Sequence, residues 1–259
     1  MTPFEELVKL MDRLRDPGGC PWDREQTLES LKTYLLEETY EVLDALESGD
    51  PEAHREELGD LLLQVVFQAK LRSENREFTI NDVIRGIHDK LVRRHPHVFE
   101  DATAGSAEEV LDQWERIKSR EKEGTSRPSV LDHVPAQLPA LLQSLRLTEK
   151  AARIGFDWTA EADLFAKVDE EWRELRHEVE AGDRDRMAEE LGDLLFTLAN
   201  LARRHDLDPE QVLRGANRKF ISRFRYIERQ LARQGRRPED ASLQEMDTLW
   251  DEAKAMGTA

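Results

Sequence analysis

One cysteine and no long hydrophobic run are the first two shortages of this sequence, and each removes a class of protein. With Cys20 alone, no intrachain disulfide can form, which fits a reducing compartment. No stretch approaches the roughly 18 apolar residues that cross a membrane. The opening segment MTPFEELVKLMDRLRD is amphipathic and carries acids, so it does not read as a secretion signal. These features point to a soluble, cytoplasmic protein with no membrane partner. Positive charge is also in deficit: 38 Lys and Arg face 55 Asp and Glu, a formal charge of −17. Such a surface repels nucleic-acid backbones and anionic lipid, so no nucleic-acid partner is expected. Strand-like runs rich in β-branched residues are missing. So are G-x-x-x-x-G-K-[ST] and G-x-G-x-x-G loops, which argues against a Walker-type phosphate loop and a Rossmann site.

What is present is helical periodicity. Leu58, Leu61, Leu62, Val65 and Val66 recur on one helix face, as do Leu28, Leu31, Leu35, Val42 and Leu46. Leu191, Leu194, Leu195, Leu198, Ala199 and Ala202 repeat the design. Asp50-Pro51 and Asp208-Pro209 read as helix starts, with Asp as cap and Pro in the first turn. The length of 259 residues allows one large domain or two ordinary ones. A stretch with three prolines and a Gly-Thr-Ser run, Glu121 to Pro139, is the linker candidate.

An internal repeat decides for two. Residues 37–62 align with 170–195 at an offset of 133 without gaps, with 13 identities in 26 positions. Gly19-Cys20-Pro21-Trp22 loosely matches Gly155-Phe156-Asp157-Trp158. Lys90 and Arg94 are spaced like Lys219 and Arg223, and Trp114 and Lys118 like Trp250 and Lys254. The expectation is an all-α fold of two tandem helical domains, 1–122 and 137–259, joined by a linker over 123–136.

Each copy carries E-E-x-x-E, a Gly-Asp turn, then E-x-x-D. In the first copy these acids are Glu37, Glu38, Glu41, Glu57 and Asp60; in the second, Glu170, Glu171, Glu174, Glu190 and Asp193. Residues three apart share a helix face. A short turn makes the two helices antiparallel neighbours. The pairs Glu38/Glu41 and Glu57/Asp60, and Glu171/Glu174 and Glu190/Asp193, are therefore expected to converge. Four such carboxylates repel one another unless a cation sits among them. Hard oxygen ligands select Mg²⁺, Mn²⁺ or Ca²⁺ over zinc, and Mg²⁺ favours sharing phosphate oxygens with its protein ligands, which suits a metal-triphosphate substrate with Mn²⁺ as a substitute. Gly59 and Gly192, each between the last two acids, cost a helix interior roughly 1 kcal/mol and so point to close approach of a neighbouring helix or a ligand. A lone acidic run is more often a solvated helix face. Here the acids border the apolar stripe, and the pattern occurs twice. A di-iron or metal-storage bundle is disfavoured, because it usually takes Glu-x-x-His motifs from two helices and neither copy has both.

Lys219 and Arg223 lie one helical turn apart, and so do Trp250 and Lys254. Arg and Lys can grip phosphate oxygens, and an indole can stack on a base or sugar. Against that stands the reading of Trp114 and Trp250 as core anchors. His95 and His97 flank Pro96 and, with Cys20, read as surface or packing residues.

Taken together, GGCPWDREQTLESLKTYLLEETYEVLDAL, EELGDLLLQVVFQA, RRHPHVF, EKAARIGFDW and ANRKFISRF resemble the two-domain MazG nucleoside triphosphate pyrophosphohydrolases over nearly the whole chain. The resemblance implies paired helices that dimerise into four-helix arrangements. It also implies Mg²⁺-dependent cleavage between the α and β phosphates of normal and aberrant (d)NTPs, a house-cleaning activity. It assigns the metal to Glu171, Glu174, Glu190 and Asp193, and by repetition to Glu38, Glu41, Glu57 and Asp60. Nucleotide contacts are carried over to Lys167, Glu170, Glu171, Arg186, Glu189, Lys219, Arg223 and Trp250, with Lys254. Arg186 stands where the family often has Lys.

The second copy is expected to carry the main catalytic site. At the offset of 133, Lys167 corresponds to Tyr34 and Arg186 to Ala53, so the first copy lacks two cations and is expected to be weak or inactive. The competing reading is a helical regulatory module that binds nucleotide or metal without turnover.

Overall fold

The computed structural model describes residues 1–100, 105–121, 129–132 and 134–257. Among them the chain is all-α, without a strand. It divides into two units, Met1–Thr125 and Ser126–Ala259. Part of the expected linker, 123–128 and His133, lies outside the described residues, as does the Lys118 side chain.

In the first unit the helices are α1 (Pro3–Arg15), α2 (Pro21–Glu25), α3 (Leu31–Ser48), α4 (Pro51–Glu74), α5 (Ile80–Arg94), α6 (Pro96–Phe99) and α7 (Ala107–Arg120). The α3–α4 hairpin is its backbone. Gly49 takes the left-handed conformation, φ 71°, that ends α3. One residue on, the Asp50 carboxylate accepts from the backbone N–H groups of Glu52 and Ala53 and starts α4. Met11, Leu31, Val66, Phe67 and Leu71 form the core between α1, α3 and α4.

The second unit contains α8 (Ala140–Arg153), α9 (Glu161–Ala181), α10 (Arg184–Arg204), α11 (Pro209–Arg233) and α12 (Leu243–Ala255). Its α9–α10 hairpin is built by the same devices: Gly182 at φ 73° closes α9, and Asp183 caps α10 by accepting from Arg186 N–H. Helix α8 packs on α10 and α11, and α12 packs on α11. Leu145, Leu164, Leu175, Leu194, Ala199, Tyr226, Ile227, Leu231 and Ala253 are buried.

The apolar stripes are only half used within the chain. On α4, Val66 is buried, whereas Leu58, Leu62 and Val65 are exposed. On α10, Leu194 and Ala199 are buried, whereas Leu191, Leu195, Phe196 and Leu198 are exposed. Helical periodicity reports which residues avoid water, not what covers them, and the stripe is wider than the one neighbouring helix.

Candidate functional site

The two hairpins bring carboxylates from both arms together. In the second unit, oxygens of Glu171 and Glu174 on α9 and Glu190 on α10 lie within 4.8 Å of one another. In the first, the same holds for Glu38 and Glu41 on α3 and Glu57 on α4. Asp193 and Asp60 are not among these trios. They are close enough to act electrostatically: Asp193 helps to raise the pKa of Glu190, and Asp60 that of Glu38.

Repulsion is legible in the acids themselves. Glu190 is pushed up first by desolvation, then by Glu174, Glu171, Asp193 and Glu178. Glu57 is raised by desolvation, then by Glu41 and Asp60. Glu38 rises for the same reasons, against a hydrogen bond from Gln64. Such mutual repulsion is what a divalent cation would relieve, and an all-oxygen donor set suits a hard ion.

The units differ in what surrounds the trio. Glu171 is only 4% exposed. Lys167, one turn before it, places its ammonium 2.8 Å from Glu171 Oε1 and 2.7 Å from Glu170 Oε1. Both carboxylates raise the lysine pKa. Arg186 approaches Glu178 Oε1 at 3.8 Å. Glu178 is buried, and the sequence reading missed it, although it lies one turn beyond Glu174 on the same face. At the offset of 133, Glu178 and Arg186 correspond to Ala45 and Ala53, so acid and base are exchanged as a pair. Glu189 is exposed on the first half of α10.

A second group lies on α11 and α12. The Arg223 guanidinium carbon is 5.4 Å from the centroid of the Trp250 ring, and Phe220 packs at 5.3 Å from the same ring. Arg223 Nε is buried without a hydrogen-bond partner among the described residues. Lys219 and Lys254 are exposed, one turn from Arg223 and Trp250 respectively. In the first unit Arg94 sits 5.2 Å from the Trp114 centroid, the same pairing. Trp250 is therefore neither a plain core anchor nor a free surface ring: it is half-buried and carries a cation on its face.

No helix among the described residues is long and apolar enough to cross a membrane. A Cβ built at Gly59 or Gly192 meets nothing within 4 Å, so no described part of the chain supplies the close neighbour expected there. His95 Nδ1 lies 2.7 Å from the Leu91 carbonyl, and His97 Nδ1 is buried without a hydrogen-bond partner among the described residues. A groove of about 660 Å³, lined by Leu145, Arg146, Arg153, Arg203 and Asp208 among others, contains none of the expected site residues.

Comparison with known proteins places this geometry in context. The family model described as "MazG nucleotide pyrophosphohydrolase domain" matches twice, at residues 26–99 and 160–227, and these stretches contain both carboxylate sets. A Thermotoga maritima protein named nucleoside triphosphate pyrophosphohydrolase/pyrophosphatase MazG is 45% identical over 97% of this chain and 95% of its own length. The nucleoside triphosphate pyrophosphohydrolase of Escherichia coli K12 is 44% identical over 98% of each chain. That of Mycobacterium tuberculosis is 38% identical over 80% of this chain and 65% of its own. With matches of this length, and with both hairpins inside the matched stretches, the chain belongs to the MazG nucleotide pyrophosphohydrolase family.

Proposed function

We propose that the chain hydrolyses nucleoside triphosphates to the monophosphate and pyrophosphate, with its main site at the carboxylates of the second unit. The observation that carries this reading is the meeting of Glu171, Glu174 and Glu190 within 4.8 Å, with Lys167 held against the buried Glu171. Membership of the MazG family supports the reaction, and the likeness to relatives named for it supports the substrate class.

Glu171, Glu174 and Glu190, with Asp193, would hold a divalent cation, Mg²⁺ in preference and Mn²⁺ as a substitute. Bound there, the cation would supply charge neutralisation for the phosphates and for the leaving pyrophosphate. The remaining tasks fall to the chain's own groups. Lys167, released from Glu171, offers its ammonium to a phosphate oxygen, and Arg186 adds a second cation from α10. Lys219 and Arg223 grip the distal phosphates; Nε of Arg223 has no hydrogen-bond partner among the described residues. Trp250 gives a face for base or sugar, and Lys254 lies beside it. One carboxylate orients or deprotonates a water that attacks the α phosphorus. The bond to the bridging oxygen then breaks, and pyrophosphate leaves with that oxygen.

The same reading includes a homodimer. Leu191, Leu195, Phe196 and Leu198 on α10, and in the other unit Leu58, Leu62 and Val65 on α4, form exposed apolar faces that the described residues do not cover. A cytoplasmic setting without nucleic-acid partners agrees with the single cysteine and the charge of −17. The test is a panel of (d)NTPs with and without Mg²⁺. Stoichiometric monophosphate and pyrophosphate, lost on chelation, is the expected result. Binding without turnover across the panel would replace this reading with that of a regulatory module.

A further inference from the structure

We propose that Glu121 is a built-in anion that occupies the phosphate-gripping arginine of the first unit and keeps that unit from binding nucleotide. This rests on the reading that Arg223 and Trp250 contact nucleotide in the second unit.

The two units present the same Arg-on-Trp pairing, Arg94 with Trp114 and Arg223 with Trp250. They differ in what the guanidinium holds. Arg94 donates to Glu121 Oε2 from Nη2 at 2.5 Å and from Nε at 3.1 Å. Its neighbour Arg93 donates to the other oxygen, Oε1, from Nε at 2.7 Å. Both oxygens of one carboxylate are thus held by two arginines, the arrangement by which arginines hold a phosphate group. Both arginines hold the carboxyl of Glu121 down to about 2, so it stays ionised throughout the neutral range. In the second unit Arg223 Nε is buried and has no hydrogen-bond partner among the described residues.

Sequence position explains the difference. Lys90 and Arg94 align with Lys219 and Arg223 at an offset of 129, which puts Ser222 where the first unit has Arg93. Trp114 and Trp250 differ by 136, which puts Gly257 where the first unit has Glu121. The second unit lacks both the carboxylate and the arginine that helps to clamp it. A triphosphate entering the first unit must displace Glu121 from Arg94, whereas no described group holds Nε of Arg223 in the second. The first unit keeps its trio Glu38, Glu41 and Glu57, so what it lacks is access to the arginine as well as the cations Lys167 and Arg186.

The experiment counts nucleotides bound to the full chain by titration calorimetry, using a dATP analogue with a nitrogen bridge between the α and β phosphates, in Mg²⁺. The wild type is expected to bind one per chain at the second unit, and Arg223→Ala to lose it. Adding Glu121→Gln to Arg223→Ala is expected to restore binding at least about tenfold, the scale of one charge-assisted contact. Adding Arg94→Ala should abolish the gain again. Arg93→Ser, at a side chain 56% exposed, releases half of the clamp without the fold depending on it, and is expected to give a smaller gain. Circular dichroism of each variant separates unfolding from closure. If folded Glu121→Gln and Arg93→Ser variants bind no better than their parent, or if the gain survives Arg94→Ala, the inference is overturned. If the wild type itself binds no nucleotide, the failure lies with the function proposed above.

Discussion

The ammonium of Lys167 lies 2.8 Å from Oε1 of Glu171, a carboxylate 4% exposed and one of three that converge in the second unit. One turn of α9 therefore presents a cation and an anion that a metal and a triphosphate would separate, the metal taking the carboxylate and the phosphate taking the lysine. Replacing Lys167 with Met should lower kcat/KM about tenfold or more, the value of one charge-assisted contact. Steady-state kinetics of a folded variant check it, and unchanged kinetics would remove Lys167 from the site.

Glu171→Gln keeps the shape of the side chain and removes a charge. Hydrolysis should fall at least about hundredfold, the scale of losing one preorganised electrostatic contact. The melting temperature without metal should change little, because relief of repulsion within the trio offsets loss of the Lys167 contact. Pyrophosphate release and thermal melting of the same sample give both answers.

The pH dependence has a definite sign. Glu190 is raised by desolvation and by Glu174, Glu171 and Asp193, so the folded chain binds its proton more tightly than the unfolded chain. Its contribution therefore falls as pH rises through the carboxylate range, and the penalty is complete above the folded-state value. Glu121, Glu74 and Asp157 are lowered and contribute in the opposite direction, so a difference measurement is needed. Without metal, the melting temperature of Glu190→Gln relative to wild type should rise from about pH 4 to pH 7. Added Mg²⁺ should close that gap at pH 7. A gap independent of pH would contradict the assigned repulsion.

Arg186 and Glu178 stand 3.8 Å apart, with the arginine side chain 64% exposed. At 3.8 Å, with Glu178 buried but the arginine largely in water, the pair contributes about 1 kcal/mol or less. Arg186→Ala should leave melting almost unchanged while raising KM severalfold, which separates a substrate contact from a structural one. Equal KM values would assign Arg186 to Glu178 alone.

The carboxylate trios were legible because helix geometry is local. Glu171 and Glu174 share a face by spacing alone, and the Gly182-Asp183 turn fixes the return of Glu190. The tandem helical reading rested on the same local rules. Less legible was anything set by packing. Glu178 looked like one more acid in an acid-rich helix, and only its burial singles it out. Arg93 and Arg94 are separated from Glu121 by more than 25 residues, with the approach of α5 and α7 between them and no periodic signal. Asp193 and Asp60 share the helix face of Glu190 and Glu57, yet their oxygens stand outside the trios, because a shared face fixes direction and not reach.

The assignment of the main site to the second unit is tested most directly by pyrophosphate release from two paired variants of the full chain, Glu38→Gln with Glu41→Gln, and Glu171→Gln with Glu174→Gln. The account predicts that the first pair keeps most dNTP hydrolysis and that the second pair loses it. Loss in the first pair with retention in the second would reverse the assignment.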